Sequence, residues 1–223
     1  MDPWTDLPLF PLRIVLFPGM VLPLHIFEER YRLMINHCLD RERPFGIVLV
    51  REGQEVGGHA VPYQTGTTAV IAGATRMEDG RLNIVTIGSE RFRLRHVRRD
   101  LPYLVGDAEP WPLSGGEAEE AWRMVAPIQA LLGQYLDLRK KAQGDEIELE
   151  EMPSDPQSLA LLAAITLQVS LPQKQRLLDQ PHVANLLRAE RIILQREALL
   201  LEYIIQTQEQ QWEGGHSGYL AKN

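Results

Sequence analysis

Apolar and polar positions along the chain follow two grammars, which change over near Trp111. Before it, short apolar runs rich in β-branched residues alternate with Gly, Pro and Asp. Residues 45–50, 67–72, 82–87, 91–97 and 103–108 each read as a strand. Glu78-Asp79-Gly80 is a hairpin signal between two of them, and Gly88-Ser89-Glu90 reads as a second turn. Strands this closely spaced predict a small barrel or a folded-over sheet. One helix interrupts them: residues 28–39 place Tyr31, Met34, Ile35 and Cys38 on one apolar stripe, with Arg30, Arg32 and Asn36 opposite.

From Ser114 onward the spacing is helical. Ser114-Gly115-Gly116-Glu117 has the pattern of a capping box, in which serine and glutamate satisfy backbone N–H groups reciprocally. The helix it opens carries Trp122, Val125, Ile128, Leu131, Leu132, Tyr135 and Leu138, with Pro127 placed to kink or split it. Residues 140–155 read as a solvated acidic loop. Ser154-Asp155-Pro156-Gln157 and Ser170-Leu171-Pro172-Gln173 repeat the cap pattern ahead of two further helices, the second ending near Pro181. The last helix, residues 182–211, repeats Leu186, Ile193, Leu200 and Leu187, Leu194, Leu201 every seven positions. Thirty helical residues span roughly 45 Å, more than a small β domain is wide, so part of the stripe is left to meet a partner or a second copy, a homodimer. The tail from Gly214 to Gly218 reads as frayed. The expected division is a β-rich domain over 1–112 and a helical bundle over 113–223.

Composition narrows the function classes. Apolar residues make up 44% of 223 residues, enough for a sizeable core. A net charge of −7 disfavours non-specific attraction to nucleic acid or anionic lipid. The single cysteine cannot form an internal disulfide, which fits a reducing compartment. The opening Met1-Asp2-Pro3-Trp4-Thr5-Asp6 lacks the basic region of a secretory signal, and no run approaches the roughly 18 apolar residues a membrane helix needs. A cytoplasmic, membrane-free protein is expected.

The prolines at 8, 11, 18 and 23 forbid a helix at the start and confine pairing there to edge or irregular strands. Leu9, Leu12, Val15, Leu22, Leu24 and Phe27 are assigned to the barrel interior. The same stretch, Leu7-Pro8-Leu9-Phe10-Pro11-Leu12, Val15-Leu16-Phe17-Pro18-Gly19, Leu22-Pro23-Leu24-His25-Ile26-Phe27-Glu28 and Arg30-Tyr31, resembles the opening of the Lon protease N-terminal domain. Pro44-Phe45-Gly46-Ile47-Val48-Leu49, Gly66-Thr67, Gly80-Arg81-Leu82-Asn83-Ile84 and Gly88-Ser89-Glu90-Arg91-Phe92-Arg93 continue the resemblance in order. It implies an α+β fold: a PUA-like β pseudo-barrel with one inserted helix, then a helical bundle with a long last helix. It also implies a non-catalytic module that engages protein substrates, as in full-length Lon enzymes, or an adaptor, as in cereblon-like proteins.

Catalytic chemistry finds no foothold in the sequence. No glycine precedes a lysine, so a phosphate loop is absent. Ser170 and Lys174 are the nearest Ser–Lys pair, and Ser170 reads as a helix cap. Six scattered histidines show no metal-ligand spacing, so neither metal nor cofactor is expected. The candidate peptide-binding residues are Pro18, Met20, Val21, Phe27 and Tyr31. The expected partners are unfolded or partly folded proteins and peptides, with a protease as a further candidate. Strand alternation sets Arg91, Arg93 and Arg95 on one face opposite Phe92 and Leu94, with Arg98 and Arg99 beyond. PUA-like folds host RNA binders, so this stripe defines the alternative, an RNA-binding protein. A solvated face is the blander reading, since no aromatic interleaves to stack bases.

Overall fold

The computed structural model describes residues 4–53, 60–144 and 151–217. Met1-Asp2-Pro3, the acidic stretch 145–150 with Glu150, and Gly218 lie outside the described residues. The elements run β1 (Leu7–Leu12), β2 (Val21–Ile26), α1 (Glu29–Asp40), β3 (Phe45–Glu52), β4 (Val61–Arg76), β5 (Leu82–Arg98) and β6 (Leu104–Pro110). They continue with α2 (Glu119–Gln143), α3 (Pro156–Thr166), α4 (Leu171–Leu178) and α5 (Val183–Ser217). The chain divides into two compact units: Met1–Ser114 with Ala164–Pro181, and Gly115–Ala163 with His182–Asn223. This division differs from a cut after residue 112 by assigning residues 164–181, with α4, to the β-rich unit.

In the first unit the sheet order is β2-β5-β4-β3-β1-β6, and β6 also pairs with β5, which closes a barrel. Among the described residues, only β1 and β3 run parallel. All six positions of β1 are buried, which explains why Leu-Pro-Leu-Phe-Pro-Leu shows no alternation. The α1 stripe of Tyr31, Met34, Ile35 and Cys38 packs into one apolar cluster with Phe10, Phe45, Ile47 and Leu82. Phe10 and Tyr31 stack with ring centroids 4.0 Å apart. A second cluster joins Leu7, Leu9, Val48, Phe92, Leu94 and Leu104. Burying each such side chain contributes about 1.5–3 kcal/mol.

Several local expectations change. Gly88-Ser89-Glu90 is no turn, because β5 runs unbroken through it. Gly88 is required by close approach: a Cβ there would collide with the Phe17 carbonyl oxygen. Its N–H donates to the Met20 carbonyl, and its own carbonyl accepts from Gly19 N. β5 therefore crosses from β2 to β6 as one long strand. Phe27, assigned to the interior, is exposed.

Unit two is built on α2 packed along α5. α2 starts at Glu119 with Ala118 as N-cap and no side-chain cap bond. Ser114, expected to cap it, instead donates its Oγ to the Pro181 carbonyl at 3.0 Å, and Gly115 turns the chain with φ +75°. Pro127 neither ends nor splits α2. It sits on the exposed face, where solvent can satisfy the carbonyl it leaves unpaired. Trp122 is also outward, while Val125, Ile128, Leu132 and Tyr135 are buried. On α5 the heptad of Leu187, Leu194 and Leu201 is buried, Leu200 is exposed, and the helix continues to Ser217. Among the described residues, no helix is long and apolar enough to cross a membrane.

Candidate functional site

β2 begins after a tight turn in which Gly19 has φ +82°, a value that favours glycine. Its alternation sends Leu22 and Ile26 inward and Val21, Pro23 and His25 outward. Among the described residues β2 pairs only with β5, and β5 pairs on its other edge with β4. Their registers align the outward residues in rows. Val21 faces Ile87, and Ile87 faces Val70. Pro23 faces Val85, and Val85 faces Gly73. His25 faces Asn83, and Asn83 faces Thr75.

The first row is apolar across three strands and open to solvent: Val21 is 58% exposed, Ile87 40% and Val70 48%. The second row is shallow, because nothing lies within 4 Å of where a Cβ on Gly73 would stand. A depression of about 440 Å3 runs over Pro23, Val85, Gly73 and their neighbours. Exposed Phe27 closes the far end, its ring 6.1 Å from that of His25. The polar row is pinned: His25 Nδ1 lies 2.6 Å from Asn83 Oδ1, and Arg81 Nε donates to Asp79 Oδ2 at 2.6 Å. The Arg81 backbone N–H, with its guanidinium, holds the Asp79 carboxyl below the usual carboxylate range. Such a face offers apolar contact with little charge.

The outer edge of β2 is unpaired among the described residues. Pro23 has no N–H, so its pair with Val85 is a non-hydrogen-bonded one. By alternation, Val21 and His25 turn their N–H and C=O groups to the open edge. An extended segment can add there, with Pro23 removing one donor and limiting uncontrolled association.

The candidate residues divide on this geometry. Val21 and Phe27 lie on the exposed face. Pro18 is half-buried, and Met20 is half-buried against the core. Tyr31 is buried under Phe10 and Arg30, out of reach of a ligand. Sequence reasoning missed Ile87, Val85 and Val70. The signal was in β5, where apolar residues occupy both phases of the alternation, so one set had to face solvent.

The three arginines of the stripe sit in different surroundings. Arg91 is buried, and its Nη1 donates to the carbonyls of Leu178 and Gln180, each at 2.7 Å. Burial lowers its pKa to about 10, opposed by Asp179. Arg93 lies over the Trp111 ring at 3.6 Å, and Arg95 is paired with Glu109. Among the described residues, no group of three or more His, Cys, Asp or Glu is placed to hold a metal ion.

The family model described as the ATP-dependent protease La (LON) substrate-binding domain matches residues 6–196. The chain belongs to this family. It is 27% identical over 199 residues to the Lon protease of Anaeromyxobacter dehalogenans (strain 2CP-C), covering 88% of this chain and 24% of that protein. With Lon protease 2 of Syntrophobacter fumaroxidans (strain DSM 10017 / MPOB) it shares 28% over 206 residues, 87% of this chain and 25% of the relative. The chain thus spans about a quarter of the length of the curated relatives it matches. Among solved structures, the Lon N-terminal domain protein from Xanthomonas campestris superposes with a TM-score of 0.59 at 27% identity, covering 82% of this chain and 95% of that one. The N-terminal domain of the Mycobacterium avium complex Lon protease gives 0.66 at 19% identity over 86% and 98%, a likeness of fold alone. The outward rows of β2, β5 and β4 are therefore part of a Lon-type substrate-binding domain.

Proposed function

We propose that this Lon-type domain holds exposed, apolar, extended segments of unfolded or partly folded proteins on the β2–β5–β4 face, and acts as a non-catalytic adaptor in proteolysis or quality control. The observation that carries the reading is the row Val21–Ile87–Val70, apolar and solvent-exposed across three strands. A folded domain does not gain by leaving that row open, whereas a client segment laid across it buries it. The single buried thiol suits a reducing, cytoplasmic setting.

The test is binding of a fluorescently labelled, permanently unfolded polypeptide to wild type and to Val21→Asp with Ile87→Asp. Each Val- or Ile-sized contact is worth about 1.5 kcal/mol, roughly tenfold in Kd. The double variant is expected to bind at least tenfold more weakly with an unchanged near-UV circular dichroism spectrum. Equal affinity of the folded variant would remove the face from the mechanism. Met20→Asp is a poorer probe, since Met20 packs on the core and its loss confounds binding with stability.

A further inference from the structure

The barrel carries a second opening, at the far end of the β4–β5 ladder. The two strands pair from Arg76 with Leu82 to Thr65 with Arg93, and no further. Beyond that point β4 stays with β3, Pro62 facing Val50 and Val61 facing Glu52. β5 stays with β6, from Phe92 opposite Pro110 to Arg98 opposite Val105. Phe92 and Arg93 pair with β4 and β6 at once, so those strands occupy opposite edges of β5. Among the described residues, the facing edges of residues 61–64 and 94–98 are consequently unpaired. Arg99 ties the far end, its Nη2 donating to the Ala60 carbonyl at 2.9 Å.

The resulting cleft of about 270 Å3 is lined by Arg51, Tyr63, Gln64, Arg95, His96 and Arg99, among others. No Asp or Glu lines it among the described residues. Arg51 and Arg95 reach carboxylates only outside that lining, Glu52 and Glu109, through pairs that are substantially exposed and therefore weak and exchangeable. In a chain of net charge −7 this is a local excess of positive charge. It coincides with main-chain donors and acceptors on two strands that lack sheet partners, the arrangement that strand addition uses.

We propose that this cleft binds an extended, acidic polypeptide segment. Its main chain pairs with the open edges of β4 and β5, and its carboxylates meet Arg51, Arg95 and Arg99. A nucleic acid suits the cleft less well. Its phosphates would find the arginines, but it has no alternating amide pattern for the strand edges, and among the described lining residues only the rings of Tyr63 and His96 are there for bases to stack on. The apolar face lies at the other end of the same ladder, so the two sites select different features of a client.

The experiment is fluorescence anisotropy on the full chain with three labelled probes: a hexapeptide alternating Glu and Val, the same peptide with Gln for Glu, and single-stranded oligouridylate. Wild type is expected to bind the Glu peptide at least tenfold more tightly than the Gln peptide. Arg51→Glu with Arg95→Glu should abolish that preference while the circular dichroism spectrum is retained. Bound Glu peptide should also slow amide hydrogen exchange in segments 61–64 and 94–98. Equal affinity for Glu and Gln peptides, unchanged exchange in both segments, or tighter binding of oligouridylate that displaces the Glu peptide would each overturn the proposal. If the double variant unfolds, the Glu-against-Gln comparison and the exchange footprint on wild type decide alone.

Discussion

Burial decides what single residues can do in this molecule. Cys38 sits on the buried stripe of α1, and desolvation raises its thiol pKa to about 11, against 9.0 when free. A thiol that stays protonated is a poor nucleophile. Iodoacetamide at pH 8 is expected to leave native protein unmodified and to label it fully in urea. The pH dependence has a definite sign. Because the folded pKa is the higher one, Cys38 contributes stability that is complete below pH 9 and lost as pH rises toward 11, by about 1.4 kcal/mol per unit. Arg91, whose pKa is depressed, acts in the opposite sense above pH 10. The measurement is therefore the urea midpoint of wild type relative to Cys38→Ala between pH 8 and 10. A constant difference would contradict the assignment. Cys38 as a buried thiol was legible from helical spacing alone. The same stripe marked Tyr31 as buried, whereas Phe27, an aromatic beside a proline-rich strand, carries no mark of which side it faces. Phe27 follows the end of β2 and is exposed, while Tyr31 is buried against Phe10.

Among the elements, α4 shows how far pairing can lie from sequence neighbours. Its start was legible, since Ser170 and Gln173 form the capping box their spacing predicts. Its destination was not. α4 is held to the barrel by residues far off in sequence: Gln175 Nε2 donates to the Thr65 carbonyl at 3.1 Å, and Arg91 caps the other end through Leu178 and Gln180. A cation at a helix C-terminus meets the negative end of the helix dipole, which here offsets part of the cost of burying the guanidinium. Arg91→Met keeps much of the volume but leaves two carbonyls without their donor. The expected loss is about 3 kcal/mol in urea unfolding, with hydrogen exchange accelerating first in α4. A variant as stable as wild type would mean that the two bonds contribute nothing net. The same competition explains the misread turn at Gly88 and the unused cap at Ser114. Local patterns offered a turn and a cap, and tertiary partners, the Met20 and Pro181 carbonyls, took those residues for other purposes.

At the scale of the whole molecule, the long helix raises the question of a second copy. α5 buries Leu187, Leu194 and Leu201, yet Ile192 is 68% exposed, Leu199 67% and Tyr203 69%. These three fall seven and four residues apart, on a stripe distinct from the buried heptad. Charge along the helix is polarised: residues 183–196 contain three arginines and one glutamate, and residues 197–217 contain four glutamates with no lysine or arginine. Two copies laid antiparallel would set each basic half against an acidic half while burying the apolar stripe, the self-complementary arrangement a two-fold dimer requires. A helix of 35 residues extends about 52 Å, long enough for a standard interface of roughly 1,200 Å2 or more. The proposal is therefore an antiparallel homodimer through α5. Sedimentation velocity should show wild type as a dimer at tens of micromolar, and Leu199→Glu with Tyr203→Glu as a monomer with its helix content intact. Because both substituted positions are exposed in the single chain, lost folding would not account for dissociation. High salt should weaken the dimer only partly, since the apolar stripe is insensitive to screening and the charge match is not. A wild-type monomer at these concentrations would leave the stripe to another partner and end the proposal.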